Sequence, residues 1–306
     1  MDNFTEKEFE IALKETIFEL SNGKKPTEEK RAFLLGGQPG AGKSGMTGIL
    51  QEENTNIIVI NGDEFRKKHP HYKELEEKYG KESVEYTKGF SGKMTEALIN
   101  KLSDKGYNLI IEGTLRTTEV PLKTQQELSK KGYQVEMAVI QVKPQFSYLG
   151  TLTRYEEMIK RGLQPRATLE KDHQKVVDNI ANNLSELYQK KVFSNIRLFN
   201  REGECLYSMN KTPEIDPGEL IRKEFKRDLS EKEKKNLIVG YDTVINYMTL
   251  RNATKEEIKA VLDLKNTIEN SLSKEVETPQ KEDPWAKKLA NDRAQGLSLK
   301  RWRQEE

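Results

Sequence analysis

The fold is decided by the stretch RAFLLGGQPGAGKSGM, residues 31–46. In it a run of apolar residues leads through a glycine-rich loop into a helical pattern, and Lys43 and Ser44 follow the loop directly. This order of strand, glycine loop and helix is that of a phosphate-binding loop. The glycines let backbone N–H groups and the helix N-terminus point at an anion, while the lysine reaches the β- and γ-phosphates. The stretch therefore predicts a nucleotide-binding site.

Eight consecutive residues of this loop are expected to hold the nucleotide. They are Gly37, Gln38, Pro39, Gly40, Ala41, Gly42, Lys43 and Ser44. The hydroxyl of Ser44 is the expected metal ligand, because the serine or threonine at this place in the loop binds Mg²⁺. A glycine loop with a purely structural role would not need Lys43. ATP and Mg²⁺ are therefore the expected cofactors.

Short apolar runs of strand length recur along the first two hundred residues. The runs are AFLLG (32–36), IIVI (57–60), NLIIEG (108–113), VEMAVIQV (135–142) and IRLFN (196–200). Most are nearly continuous, which is typical of strands buried on both faces. Helical patterns precede the first run, ending near residue 22, and then alternate with the strands at 42–52, 83–105, 121–131, 146–160 and 169–190. The alternation predicts an α/β, P-loop kinase-like three-layer fold with a mainly parallel sheet.

The patterns divide the chain into three parts. Residues 1–210 form the predicted kinase-like domain, and 211–274 form a helical C-terminal extension with helices at 216–250 and 254–274. Residues 275–306 are predicted as a linker and a basic tail, since the polar stretch SKEVETPQKEDP begins at 273. The tail carries Trp285 and Trp302, and it is either a binding segment or a solvated terminal helix.

The bulk composition excludes several classes of protein. With 52 basic and 50 acidic residues in 306, the net charge is +2, so no general attraction to nucleic acid or acidic membranes follows. The single cysteine, Cys205, excludes an intramolecular disulfide and is expected to pack as a small structural side chain. The start MDNFTEKEFE lacks the features of a secretory signal, and no apolar stretch approaches the ~18 residues of a spanning helix. A cytoplasmic protein is predicted, with neither a membrane nor nucleic acid as an expected partner.

Asp63 is the first candidate for a catalytic group. It follows the second strand in the sequence VINGDEF, just past the carboxyl edge of that strand, which we expect to lie beside the first strand. A carboxylate in this position can accept the proton of a hydroxyl that attacks the γ-phosphate. The alternative is that Asp63 only caps the following helix.

Further polar side chains are expected at the same edge of the sheet. Glu112 ends the strand NLIIEG, where an acidic residue commonly holds the Mg²⁺ shell or a substrate, and Thr114 and Arg116 follow on the loop. These three form a site or merely shape a turn. The segment TRYEEMIKRGLQPRAT supplies three arginines at a predicted helix end: Arg154, Arg161 and Arg166. Phosphoryl transfer needs such charges over the transferred group, although each arginine alone could be a solvated surface charge.

Several segments together resemble one known family. They are FLLGGQPGAGKS, HPHY, YGKESVEYTK, KMTEAL, YNLIIEGTLRTTEVP, SYLGTLTRYE and PRAT, and the resemblance covers about residues 1–210. In this order they resemble the zeta toxins of bacterial toxin-antitoxin systems, most nearly the PezT branch. The resemblance implies an ATP-dependent kinase for the 3′-hydroxyl of the amino sugar of UDP-N-acetylglucosamine, which poisons cell-wall synthesis. It also implies a cognate antitoxin as a separate protein chain.

The same resemblance assigns roles to individual residues. For the chemical step it implies Lys43, Asp63 as the base, and Arg154 and Arg166 as clamps on the phosphates. For the sugar nucleotide it implies contacts from Glu96, Glu112, Thr114, Arg116 and Thr124. One departure is that Gly45 and Met46 follow Ser44, where the family usually has a polar start to the helix. Glycine weakens a helix interior by roughly 0.5–1 kcal/mol, which affects the expected rate more than the reaction type.

Two other functions remain open at this point. A kinase of the same fold could act on another small molecule or on a polynucleotide end, although the KMTEAL and EGTLRTT segments argue against this. A nucleotide-dependent interaction protein could instead use the basic tail, because a tryptophan there could stack on single-stranded bases.

Overall fold

The computed structural model describes residues 4–277 apart from residues 164 and 166, and it describes only the backbone at residues 81 and 273–277. Arg166 and both tryptophans of the predicted tail lie outside the described residues. Within the described part, no helix combines the length and the apolar character that a membrane span requires.

The sheet has six strands, five of which run parallel. They are β1 (Arg31–Gly36), β2 (Ile57–Ile60), β3 (Asn108–Glu112), β4 (Gln134–Ile140), β5 (Asn195–Phe199) and β6 (Cys205–Ser208). Their order across the sheet is β2-β3-β1-β4-β5-β6, and β6 pairs antiparallel with β5. The mainly parallel α/β fold is confirmed. The expectation that the second strand lies beside the first is wrong, because β3 is inserted between β1 and β2.

Eleven α-helices surround the sheet in the described part of the chain. They are α1 (Glu6–Ser21), α2 (Lys43–Glu53), α3 (Gly62–Phe65), α4 (Tyr72–Tyr79), α5 (Ser83–Asp104), α6 (Glu119–Lys130), α7 (Pro144–Lys160), α8 (Glu170–Gln189), α9 (Pro217–Lys226), α10 (Glu231–Leu250) and α11 (Lys255–Glu277). Local signals fix several of their ends: capping boxes start α1 at Thr5 and α10 at Ser230, and a proline opens α7. The last helix continues to Glu277, so the start of the predicted linker is helical.

The strand β6 and its cysteine differ from expectation. No apolar run marks β6, because it is a short edge strand whose first two residues are exposed. Cys205 opens this strand and is exposed instead of packed. Its Sγ donates a hydrogen bond to the carbonyl of Tyr207 at 3.3 Å.

Alternate residues of β1 face two separate parts of the core. Ala32 and Leu34 belong to the larger cluster, which α1, α5, α8 and α9 cover. Phe33 and Leu35 belong to a smaller cluster on the opposite face, which α2 covers. The chain thus forms three layers, with the carboxyl ends of the parallel strands meeting at one edge.

A third apolar cluster joins the C-terminal helices to α7. Its buried members are Leu149, Leu237, Tyr241, Val244, Met248, Val261 and Ile268. The antiparallel pair α10–α11, which we call the C-terminal hairpin, therefore packs against α7. The division of the chain into domains stays a prediction.

Candidate active site

The phosphate-binding loop is held against α7 by direct backbone contact. Gly40 has a φ of +75°, and a Cβ there would lie 2.1 Å from the carbonyl oxygen of Ser147 and 2.6 Å from the amide nitrogen of Thr151. On the other side, a Cβ on Gly150 would lie 2.3 Å from the carbonyl oxygen of Gly40. Because no side chain fits at either position, the two glycines fix how closely the loop and the helix approach each other.

Lys43 begins α2 and folds back over the loop. Its Nζ donates hydrogen bonds to the carbonyls of Gly37 at 3.0 Å and Gln38 at 3.2 Å. Burial of the amine lowers the pKa of Lys43 to about 8, and the charges of Glu112 and Asp63 oppose the shift. The positive charge of Arg154 adds to the lowering of that pKa. Asp63, Glu112 and Arg154, three of the predicted site residues, therefore lie within electrostatic reach of Lys43.

Glu112 stands at the carboxyl end of β3 and faces α2. Its Oε1 accepts a hydrogen bond of 3.1 Å from the hydroxyl of Thr47. Burial raises the pKa of Glu112, while the Thr47 hydrogen bond and the Lys43 charge act in the opposite direction. The sequence analysis did not identify Thr47, which lies almost one helical turn after Ser44. The only signal for its contact with Glu112 was the presence of a hydroxyl side chain so close to the loop.

Asp63 lies on the one-turn helix α3, and it is not the cap of that helix. The N-cap is Asn61, whose Oδ1 accepts a hydrogen bond of 3.0 Å from the amide of Asp63. The side chain of Asp63 is 56% exposed, and its Oδ1 lies 3.2 Å from Nε of Arg66. Arg66 also donates to the carbonyl of Val84 at 2.8 Å, so it connects Asp63 to α5. Nothing in the sequence pattern marked Arg66 for this role.

Arg154 lies on α7 and reaches toward the segment that leads into α8. Its Nη2 donates a hydrogen bond of 3.1 Å to the hydroxyl of Thr168. Arg161 is the C-cap residue of α7 and is exposed. Of the three predicted arginines, Arg154 is the one that lies within electrostatic reach of Lys43, and the roles of Arg154 and Arg166 stay predictions.

The residues expected at the sugar nucleotide lie on α5, α6 and the loop after β3. Glu96 is exposed on α5, with Oε1 3.8 Å from Nζ of Lys123 on α6. Thr124 is on the same helix as Lys123 and donates to the carbonyl of Val120 at 3.0 Å. The Glu96–Lys123 pair connects α5 to α6, whereas the Thr124 hydrogen bond stays within α6, and neither contact involves the loop that carries Lys43.

The loop after β3 holds Thr114 and Arg116 on either side of a constrained residue. Leu115 is buried with a φ of +56°, a conformation that costs an L-residue free energy. Its carbonyl accepts a hydrogen bond of 3.0 Å from Nδ2 of Asn183 on α8. Thr114 is half-buried and Arg116 is exposed. Packing of Leu115 therefore determines where both polar neighbours emerge.

Arg201 is a second arginine at the loop that the sequence did not reveal. It lies in the turn between β5 and β6, past the carboxyl end of a parallel strand. A Cβ on Gly42 would lie 3.3 Å from its Cγ, and a Cβ on Gly150 would lie 3.2 Å from its Nη2. The guanidinium thus covers the junction of the phosphate-binding loop with α7. The available signal in the sequence was its position just after a predicted parallel strand, since ligands of such sheets bind beyond the carboxyl ends of the strands.

Comparisons with known proteins agree with this architecture. The family model described as Zeta toxin matches residues 14–212. Toxin zeta of Streptococcus pyogenes is 48% identical over 233 residues, which are 76% of this chain and 81% of that protein. Toxin PezT of Streptococcus pneumoniae is 44% identical over 242 residues, which are 78% of this chain and 95% of that protein.

A solved structure also aligns over most of the chain. It comes from a study of the PezAT chromosomal toxin-antitoxin system of Streptococcus pneumoniae. The alignment has a TM-score of 0.73 at 41% identity and covers 81% of this chain and 98% of that one. Because the family model matches about two thirds of the chain and these relatives are 44–48% identical over more than two thirds of it, the chain belongs to the zeta toxin family.

Proposed function

We propose that the chain is an ATP-dependent kinase that phosphorylates the 3′-hydroxyl of the amino sugar of UDP-N-acetylglucosamine. In this role it acts in the cytoplasm as the toxin of a toxin-antitoxin system and blocks cell-wall synthesis. The observation that carries the proposal is that Lys43 folds over the carbonyls of the phosphate-binding loop, with Asp63, Glu112 and Arg154 within electrostatic reach of it. Membership of the zeta toxin family supports the same reaction.

The loop residues 37–44 would bind the phosphates of ATP. Amides of the loop and of the first turn of α2 donate to the phosphate oxygens, and Lys43 neutralises the β- and γ-phosphates. The glycine contact with α7 keeps these donors in place before the nucleotide binds, so little reorganisation accompanies the reaction.

The residues around Ser44 fit a magnesium ion. The Ser44 hydroxyl is exposed at the start of α2, and the Glu112 carboxylate lies at the end of the adjacent β3. Mg²⁺ prefers such oxygen ligands and keeps several waters, binding mainly to one or two carboxylates and to the substrate phosphates. When bound, the ion would neutralise charge on the transferred phosphoryl group.

Asp63 would accept the proton of the attacking hydroxyl. Because Asn61 is the N-cap of α3, the carboxylate of Asp63 is not needed to cap that helix. The Asp63 side chain is exposed and therefore accessible to a substrate. The contact with Arg66 orients the carboxylate while leaving its second oxygen available for a proton. A base in hydrogen-bond reach of the hydroxyl contributes on the order of 10²–10⁴ in rate.

Arg154 and Arg166 would act on the charge that spreads over the transferred phosphoryl group. Glu96, Glu112, Thr114, Arg116 and Thr124 would bind the sugar nucleotide along α5, β3 and α6. Arg201 would border the nucleotide on the side opposite to Asp63. A cognate antitoxin, as a separate chain, is the proposed protein partner; the solved relative comes from a toxin-antitoxin study, which supports this partner.

The reaction can be tested directly. The purified full chain is incubated with ATP, Mg²⁺ and a panel of UDP-sugars, with a polynucleotide bearing a free 5′-hydroxyl as a further acceptor. Mass spectrometry should find one added phosphate on UDP-N-acetylglucosamine, and fragmentation should place it on the 3′-hydroxyl of the sugar. Phosphate on the polynucleotide alone, or on a different sugar nucleotide alone, would replace the proposed acceptor. If ATP is consumed and no acceptor in the panel gains a phosphate, the chain is not a kinase for any of these acceptors.

A further inference from the structure

The helix α7 is held between the phosphate-binding loop and the C-terminal hairpin. Gly150 faces the loop, where its backbone meets that of Gly40. The preceding residue, Leu149, faces the hairpin, and a Cβ on Gly240 of α10 would lie only 2.4 Å from its Cδ2. Gly150 thus allows close approach on the loop side of α7, and Gly240 allows it on the hairpin side. Movement of α10 would therefore be transmitted to the loop through α7.

An ion pair joins the same two helices farther along. Glu156 of α7 is only 4% exposed, and a carboxylate so deeply buried is costly unless it is paired. Arg251, at the end of α10, supplies two parallel hydrogen bonds to it. Nε lies 2.7 Å from Oε2, and Nη2 lies 2.9 Å from Oε1. This two-pronged contact fixes orientation as well as distance.

Arg251 is itself fixed by both helices of the hairpin. It is the C-cap residue of α10, directly before the turn in which Asn252 has a φ of +56°. Its two Nη atoms each lie 3.3 Å from the carboxylate of Glu257, in the first turn of α11. Glu257 in turn accepts from the amide of Thr254 at 3.1 Å. The guanidinium therefore connects α7 to α10 and α11 at once.

Glu156 and Arg154 lie back to back on α7. Two residues along an α-helix correspond to a rotation of about 200°, so neighbours at this spacing point to opposite sides. Arg154 points toward Thr168 and lies within electrostatic reach of Lys43, whereas Glu156 points at the hairpin. Arg154 and Glu156 are therefore carried by one stretch of helix whose far side is fixed to the hairpin.

We propose that Glu156 and Arg251 are positioning residues, through which the C-terminal hairpin sets the place of Arg154 relative to the phosphate-binding loop. The inference rests on the proposed function, in which Arg154 acts on the transferred phosphoryl group. Neither residue touches the reacting atoms. Their effect is on geometry, and a misplacement of about 1 Å in a group that acts on the transition state can cost on the order of 10²-fold in rate.

The decisive variant is Arg251→Met, which keeps a long apolar stem and removes the guanidinium. We expect kcat to fall by about 10- to 100-fold, with KM for ATP changed by less than about threefold, because the lost geometry acts on the transition state. Arg251→Lys should recover only part of kcat, since an amine cannot make the two parallel hydrogen bonds. Measurements are made well below the unfolding temperature of each variant, with the folded fraction determined by circular dichroism.

Lys265→Met is the matched control. Lys265 of α11 pairs with Asp242 of α10 at 2.7 Å, so its loss breaks an ion pair within the hairpin that does not involve α7. Its kcat should stay within about twofold of wild type. If Arg251→Met has wild-type kcat, or if the control loses as much as Arg251→Met, the positioning role is wrong and the ion pair only stabilises the fold.

Hydrogen exchange tests the same inference without turnover. In the full chain, Arg251→Met should speed amide exchange in residues 144–160 and in the loop 36–42, whereas Lys265→Met should leave both segments unchanged. If Arg251→Met does not fold, Glu156→Gln, which keeps size and one acceptor, should show the same pattern at smaller amplitude. Unchanged exchange in both segments overturns the inference. A wild-type chain that phosphorylates no acceptor would instead overturn the proposed function, and the exchange result would still decide the coupling.

Discussion

The two halves of the candidate site are built in different ways. The nucleotide half, which we propose binds ATP, consists mainly of backbone: the loop meets α7 at Gly40 and Gly150, and Lys43 is held by loop carbonyls. The acceptor half, which we propose binds the sugar nucleotide, consists of side chains on separate elements, with Glu96 and Arg116 exposed. A site made of fixed backbone is preorganised, whereas exposed side chains must be ordered by the substrate. Changes in the nucleotide half should therefore disturb a fixed geometry and lower kcat, with or without a loss of ATP affinity, whereas changes in the acceptor half should act mainly on KM.

The largest effect should come from Lys43→Ala. In the described part of the loop, no other side chain can place a positive charge between the β- and γ-phosphates, so turnover should fall by on the order of 10³ or more. The assay is phosphorylation of UDP-N-acetylglucosamine by the purified variant, with growth of cells that express it as a second readout. Lys14→Ala, an exposed change on α1, should behave as wild type. Full activity in Lys43→Ala would mean that the loop does not serve the reaction.

Asp63→Asn should cost on the order of 10² or more in kcat while ATP and the sugar nucleotide still bind. Asparagine keeps the shape of the side chain but cannot take up the proton, and the cap on α3 is unaffected because Asn61 provides it. Binding is measured by calorimetry and transfer by mass spectrometry. Glu112→Gln is the comparison: should it reduce kcat more than Asp63→Asn at saturating Mg²⁺, Glu112 is the base and Asp63 is not.

Glu96→Gln probes the acceptor half. We expect KM for UDP-N-acetylglucosamine to rise about tenfold with little change in kcat, the effect of one hydrogen bond to a charged group. Glu10→Gln, an exposed change on α1, is the control and should alter neither constant. If Glu96→Gln lowers kcat and leaves KM alone, the contrast between the halves is wrong, and the acceptor side is as preorganised as the loop.

The affinity for ATP should depend on pH through Lys43. Its pKa is lowered to about 8 by burial, and bound phosphates favour the charged form and raise that pKa again. Affinity should therefore be constant below pH 8 and fall by up to about tenfold per pH unit above it, because the free protein must then take up a proton to bind. Calorimetric titrations from pH 6.5 to 9.5 measure this. The dependence above pH 8 should be absent in Lys43→Ala, and a flat wild-type profile would contradict the lowered pKa.

The smallest effect concerns Gly45, the residue that departs from the family pattern. A Cβ there meets nothing within 4 Å, and the residue lies inside α2. Gly45→Ala should therefore raise the free energy of unfolding by about 0.5–1 kcal/mol and leave kcat unchanged. Gly40→Ala, the matched change in the loop, should instead destabilise the protein and impair ATP binding, because its Cβ would overlap the backbone of α7. Thermal unfolding of both variants separates the two cases.

The sequence was sufficient for those features that repeat locally. The apolar runs located five strands, and the glycines before Lys43 located the loop between β1 and α2, because each is a contiguous signal. The order of the strands in the sheet is not encoded by any contiguous stretch of sequence. β3 lies between β1 and β2 although it follows both in the chain, and no local pattern predicts this.

The contacts that shape the site are also invisible in the sequence. Gly40 and Gly150 are in contact although more than a hundred residues of chain separate them, and nothing around either glycine in the sequence indicates the other. Arg66, Arg201 and Arg251 look like ordinary surface charges until the fold brings them to Asp63, the loop and Glu156. Side-chain roles of this kind depend on tertiary packing, which propensity and spacing do not describe.

The position of α7 between the loop and the C-terminal hairpin has a consequence for the order of folding. About 90 residues separate the end of α7 from Arg251, the partner of Glu156, and at 5–20 residues per second a ribosome takes roughly 5 to 18 s to make them. During that interval the central sheet can form, but α7 is supported on one side only and Glu156 has no partner. The nascent chain thus carries its complete phosphate-binding loop well before the geometry around that loop is finished.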